Sequence, residues 1–160
     1  MITNNGAVIF SAQFGNGTGT RQLTDTGGMA STPNYSTSAL YLEANMQTFP
    51  NDKGACMILG VGNAEPQKTD YFLDETEVDG VDISEAIPCV SASKSITPSG
   101  NTVFTATYSN TSNRAYTIKE IGIIQQTYKA AVYLVARTLI PPRTIQPNET
   151  LTFSYVVEFD

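Results

Sequence analysis

The chain contains no histidine among its 160 residues. Ser-His-Asp and Cys-His catalysis therefore fall away, and so does the commonest transition-metal ligand. Only two cysteines are present, Cys56 and Cys89. Two thiolates cannot close a structural zinc site without unusual carboxylate partners. They could pair, or remain buried free thiols that pack like small hydrophobes. Positive charge is scarce: nine Lys and Arg stand against 15 Asp and Glu, for a net charge of −6. The basic residues are scattered from Arg21 to Arg143 without forming a patch. Phosphate binding needs clustered Lys and Arg, so this distribution argues against a nucleic-acid partner. No apolar run approaches the ~20 residues of a membrane helix, so no membrane partner is expected. Met1-Ile2-Thr3-Asn4-Asn5-Gly6 lacks the basic start and apolar core of a signal peptide. A soluble protein made in a cytoplasm is the expectation.

Charged residues make up 15% of the chain, where about 25% is usual. Thr, Ser and Asn fill the gap. They favour strands and turns, through β-branching or by competing for backbone hydrogen bonds. With 41% hydrophobic residues, a chain of this length suits one domain with its own core.

The most regular stretch is the last third. In residues 151–159 the odd positions, Leu151, Phe153, Tyr155, Val157 and Phe159, are apolar, and the even ones are mostly polar. Strand side chains alternate faces, so this predicts a strand with one buried face. Residues 102–108 set Phe104, Ala106 and Tyr108 against threonines in the same way. Residues 109–114 read as a polar hairpin-type connection. Residues 116–124 change parity: Tyr116 and Ile118 share one face, Ile121 and Ile123 the other. A bulge near Lys119-Glu120, beside Gly122, accounts for the switch. Residues 130–139 form a strand apolar on both faces except for Arg137. Pro141 and Pro142 lack N–H donors and cannot continue an interior ladder. Residues 146–149, with Pro147, are a turn before the final strand.

Upstream, residues 55–61 are a continuous apolar run, expected as a strand buried on both faces. Residues 66–85 are acidic and expected to be mostly loop, residues 87–96 to hold one short strand, and residues 97–100 to form a turn. In residues 7–14 apolar alternation competes with a short helix capped by Asn5. Residues 20–38 are rich in Gly, Ser, Thr and Asn and read as a long surface excursion. Residues 39–46 suit helix or strand, and residues 49–52 a turn. The fold class is therefore all-β: an antiparallel β-sandwich or jelly roll with long N-terminal loops and little helix. Residues 1–55 form an N-terminal segment packed on, or exchanged with, a sandwich core of residues 56–160.

Candidate chemistry is sparse. Gly60-Val61-Gly62-Asn63-Ala64-Glu65 begins like a dinucleotide loop but lacks the third glycine and a following helix, so a turn is the better reading. No cofactor is implied. Glu75, Glu77 and Asp79 alternate and are followed by Gly80, as in a calcium loop. The match is partial, because Ala86 stands where the bidentate Glu belongs; a solvated loop or acidic contact surface is the alternative. The same run could supply paired carboxylates for glycoside hydrolysis, as any acidic loop could. Arg137 either snorkels outward or pairs with Glu120 across the sheet. Tyr35, Tyr41, Tyr71 and Tyr128 suit a sugar- or protein-binding surface, or simply sheet faces. No catalytic residue is assigned.

Three pieces occur together: Leu59-Gly60-Val61-Gly62-Asn63-Ala64-Glu65-Pro66 with Asp70 and Asp74; Ile118-Lys119-Glu120-Ile121-Gly122-Ile123; and Leu134-Val135-Ala136-Arg137-Thr138 with Pro141, Pro142, Pro147-Asn148-Glu149. Their order and spacing resemble those of a group of small virion proteins of tailed bacteriophages. The match spans residues 59–159, with Asn148 where a glycine is usual. The resemblance implies a non-enzymatic structural protein of the capsid, neck, tail or a fibre, located in the virion. Its partners would be other copies of itself and other virion proteins. Glu120, Gly122, Arg137 and Pro147 would be structural residues. A fibre module that binds a host-surface glycan or protein receptor is the alternative.

Overall fold

Threonines alternate with Phe104, Ala106 and Tyr108 because one face of their strand is buried and the other is wet. The computed structural model describes residues 1–7, 23–31, 54–126 and 132–157. In chain order they form α1 (residues 4–7), β1 (Leu23–Thr24), β2 (Ala30–Ser31), β3 (Gly54–Gly60), β4 (Glu77–Val78) and β5 (Val81–Asp82). There follow α2 (Ile83–Ala86), β6 (Cys89–Ile96), β7 (Thr102–Ser109), β8 (Tyr116–Gln126), β9 (Val132–Ile145) and β10 (Thr150–Val157). All pairings are antiparallel. One sheet has the order β10-β7-β6 and the other β3-β8-β9, with β1-β2 and β4-β5 as small hairpins. The architecture is the all-β sandwich expected from the alternation.

Both sheets feed one core. The first sends in Phe104, Ala106 and Tyr108 from β7 and Phe153, Tyr155 and Val157 from β10. The second sends in Met57 and Leu59 from β3, Tyr116, Ile118, Ile121 and Ile123 from β8, and Val135 and Ile145 from β9. Tyr108 and Phe153 meet edge to face with ring centroids 6.0 Å apart. The Tyr108 hydroxyl crosses the sandwich and donates to the Met57 carbonyl at 2.7 Å.

The parity switch in β8 lies where periodicity put it. Ile118 faces Arg143 and Glu120 faces Leu139, so Ile140, Pro141 and Pro142 stand together opposite Lys119. That irregularity, on an edge strand, is where prolines fit, and β9 therefore runs through them to Ile145. At the final turn, Glu149 donates its N–H to the Gln146 carbonyl. Asn148 holds φ +63° there, so it takes the left-handed position after Pro147.

Other expectations need correction. Residues 109–114 are not a hairpin: β7 and β8 belong to different sheets. Asn110, fully buried, shapes this crossover by donating from its amide to the carbonyls of Arg114 and Ile145. The acidic residues 66–85 include structure that was not expected. Asp79 and Gly80, with φ of 51° and 75°, form the two-residue turn between β4 and β5, the Asp-Gly pairing that hairpin turns favour. Asp82 then caps α2 by accepting from the Ser84 N–H at 2.7 Å. β6 is a full eight-residue strand. Residues 20–38 are not wholly a surface excursion, because Leu23 is completely buried in the core. Thr3 caps α1: its Oγ1 accepts from Gly6 N–H at 3.1 Å. Asn5, within α1, bonds Thr24 N–H through Oδ1. Ile2 bridges Ala136, so the first residues extend the β9 edge of the sheet. Expectations for residues 8–22, 32–53, 127–131 and 158–160 lie outside the described residues. No helix among the described residues is long and apolar enough to cross a membrane.

Two tests follow from this core. The Tyr116 hydroxyl is buried with no hydrogen-bond partner. Tyr116→Phe should leave stability unchanged or raise it by up to about 1 kcal/mol in urea unfolding. Ile118→Ala, one inward position along, should lower it by about 2–5 kcal/mol. Burial also pushes the Tyr155 phenol up to about 12 and raises Tyr108 in the same direction. The folded state thus favours the neutral phenols. Their contribution is complete below the unfolded value of about 10 and is lost as pH rises through the folded values. Urea midpoints should hold up to about pH 10 and fall between about pH 10 and 12, less steeply in Tyr155→Phe.

Candidate functional site

The most concentrated chemistry lies on the outer face of the β3-β8-β9 sheet. Gly122 stands opposite Arg137 and Leu139 opposite Glu120. Glu120 and Arg137 are therefore diagonal neighbours on adjacent strands, within reach of long side chains. Arg137 Nε donates to Glu120 Oε2 at 2.8 Å, and Nη1 donates to Asp70 Oδ2 at 2.6 Å. Nη2 donates to the Ala64 carbonyl at 2.9 Å. The Arg137 side chain is 3% exposed and that of Glu120 0%. Burial works against the guanidinium charge, but the hydrogen bonds to Asp70 and Glu120 outweigh it and hold its pKa above the ordinary arginine value.

Glu120 is also saturated. Its Oε2 accepts from the Asp74 N–H at 3.2 Å and its Oε1 from the Glu75 N–H at 3.0 Å. The Asp74 carboxylate accepts from the N–H groups of Asn63 and Ala64 at 3.0 and 3.1 Å. The Val61 N–H donates to the Glu75 carbonyl at 2.9 Å and closes the base of the loop. The cluster thus straps residues 62–75 across the sheet. Beneath the strap lies a second small core: Cys56, Ile58, Leu73, Ile124 and Leu134. β3 accordingly buries both faces, as its unbroken apolar run predicts.

The glycines are explained by close approach. A Cβ on Gly60 would lie 2.5 Å from Glu120 Oε1, and one on Gly62 would lie 2.5 Å from Asp74 Cβ. One on Gly122 would lie 2.8 Å from Leu73 Cδ2. The Gly60–Gly62 spacing serves this packing.

Of the sequence candidates, Glu120, Gly122 and Arg137 come together, while Pro147 belongs to the separate final turn. Glu75, Glu77 and Asp79 do not converge. Glu75 contributes its backbone N–H to Glu120, Glu77 lies in β4, and Asp79 pairs with Arg114 at the hairpin turn. Among the described residues, no group of three or more Cys, Asp or Glu could hold a metal ion. Asp70 and Asp74 are the members of the cluster that reasoning from residue type missed. Nothing in their spacing marks them, although both lie within the first of the three resembling pieces. Cys56 and Cys89 are not joined in a disulfide, and burial raises the Cys89 pKa. Tyr71 is exposed near Gly28; Tyr35, Tyr41 and Tyr128 lie outside the described residues.

A second feature is an apolar cavity of about 160 Å³ beside β3. Met57, Leu59, Ile83, Ile87, Cys89 and Tyr108 help to line it. Asp82 also lines it, but its carboxylate is engaged in capping α2. The cavity offers room for apolar atoms, and its wall also carries the Cys89 thiol and the hydroxyl-bearing Thr26, Thr76 and Ser84.

Compared with family models, curated proteins and solved structures, the chain matches none. The site must therefore be read from its own geometry. Each carboxylate oxygen of Glu120 and each nitrogen of Arg137 already has a partner within the protein. Such an arrangement holds a loop in place. Removing one member strands the opposite charge in a dry site. Arg137→Ala should therefore lower unfolding free energy by about 3–5 kcal/mol. Arg114→Ala, which breaks the exposed pair with Asp79, should leave the urea midpoint unchanged within error.

Proposed function

We propose that the chain is a non-enzymatic structural protein that acts by assembling with other protein subunits, and that its setting is the particle of a tailed bacteriophage. The observation that carries the assembly part is the internal saturation of the Arg137–Glu120 pair. The strongest polar constellation among the described residues is buried and serves rigidity, which favours a role exercised through contacts between faces. The outer face of the β10-β7-β6 sheet suits such contacts. It displays Ser91, Thr107 and Thr152 in one row and Ser93, Thr105 and Ser154 in the next. These side chains are short, uncharged and already partly bonded to one another, as Thr107 is to Thr152 at 2.9 Å. Little side-chain entropy opposes their burial against a neighbour. The virion setting rests on the order and spacing of the three pieces described above, within which Glu120, Arg137, Asp70 and Asp74 all fall.

The test is to purify particles from an infected host and locate the protein by electron cryomicroscopy. A fixed number of copies bound at symmetry-related positions is the expected result. Particles lacking the protein, together with a recombinant chain that does not associate with them, would overturn the proposal.

A further inference from the structure

Every open sheet can pair with another strand at its edges, and proteins guard against this with charges, prolines, bulges or covering segments. Three of the four edges here are managed in one of these ways. On β9, Ile2 bridges Ala136, Thr3 donates its N–H to the Val135 carbonyl, and Pro141 and Pro142 further on offer no N–H to a neighbour. On β3, the Tyr108 hydroxyl takes the Met57 carbonyl. On β6, the register shifts between Cys89 and Ser91, and Lys94 lies mid-strand.

β10 differs. Its eight residues, Thr150-Leu151-Thr152-Phe153-Ser154-Tyr155-Val156-Val157, include no charge, proline or glycine. The strand pairs with β7 continuously, without a bulge, and among the described residues nothing pairs with its other side. Val156, on the outward face, is 48% exposed. The composition combines high β-propensity with zero charge, which makes a pairing template.

We propose that the free edge of β10 is a self-association site, where β10 of a second copy pairs antiparallel about a two-fold axis. The occupant is argued from charge and register. The chain carries a net charge of −6, so two copies repel each other wherever their acidic surfaces meet; the β10 edge is a line along which they can meet without opposing charges. A two-fold pairing places the same patch against itself. Residues directly opposite must share a face, so the axis passes through a residue. An axis at Ser154 sets Thr152 opposite Val156 of the second copy on the outer face. On the inner face it sets Phe153 opposite Tyr155 of the second copy, an aromatic cross-strand pair. Joining two three-stranded sheets this way gives one six-stranded sheet with a continuous hydroxyl-bearing outer face. The pairing deepens the assembly reading and rests on it for its biological purpose.

Sedimentation of the full chain over a range of concentrations tests the pairing, with two variants beside it. Ser154→Lys puts lysines face to face at the seam; Ser93→Lys adds the same charge in the same row of the sheet but on β6. The wild-type chain and Ser93→Lys should form dimers insensitive to added salt, and Ser154→Lys should dimerise at least about tenfold more weakly. All three should share the same far-ultraviolet circular dichroism. A wild-type chain that stays monomeric, or a dimer that Ser154→Lys and Ser93→Lys weaken equally or not at all, would overturn the pairing. Particle occupancy separates the two readings. A β10-dependent dimer absent from particles upholds the pairing and sinks the virion role; a particle-bound chain that is monomeric in solution does the reverse.

Discussion

A guanidinium removed from water must find its hydrogen bonds inside the protein, and Arg137 finds them on two separate segments. Glu120 comes from the adjacent strand, while Asp70 and the Ala64 carbonyl come from the loop that crosses the sheet. Losing any one leaves charge uncompensated in a site where the Arg137 side chain is almost wholly buried. This requirement sets the path of residues 62–75, and Glu120 reinforces it by accepting from the N–H groups of Asp74 and Glu75. The glycines at 60, 62 and 122 follow, because the loop and the Glu120 side chain lie too close for a Cβ. So does the second small core, which exists because Leu73 is held down over Cys56, Ile58 and Ile124. The β3-β8-β9 sheet is thereby buried on two sides, against the other sheet and against its own loop.

The other sheet faces a different condition. Its inner side is committed to the core through Phe104, Tyr108, Phe153 and Tyr155, but its outer side carries only short hydroxylated and small apolar groups in register. No loop among the described residues straps it. Among the described residues, the contrast is between a reinforced face and an unstrapped one. Buried polar hubs hold the connections between the sheets. Asn110 is the clearest: its side chain reaches both the crossover after β7 and the end of β9, and its backbone bonds the turn before β10.

Periodicity alone was enough for β7, β8 and β10, because a strand with one wet face writes its orientation into every second residue. The same reasoning located the irregularity in β8, since a bulge must reverse the alternation. It also paired Glu120 with Arg137 as one of two options, because a charge in an apolar strand has few partners within reach. It failed where local patterns compete. The Asp79-Gly80 turn was legible in the residues, yet the surrounding carboxylates read as mostly loop. The 109–114 connection was polar and short enough for a hairpin, and nothing local reveals that it changes sheets.

What the amino-acid order determined by itself is the strands β3, β7, β8 and β10, their inward-facing residues and the turns at Asn148 and Gly100, because these depend on neighbours a few positions apart. Only the tertiary structure decided which strands share a sheet, that Asp70 and Asp74 close the cluster, and that β10 has an edge with no partner among the described residues. Those outcomes depend on contacts between residues dozens of positions apart. For such contacts the cost of bringing chain segments together is met by burial across the whole molecule, and no short window of sequence carries that information.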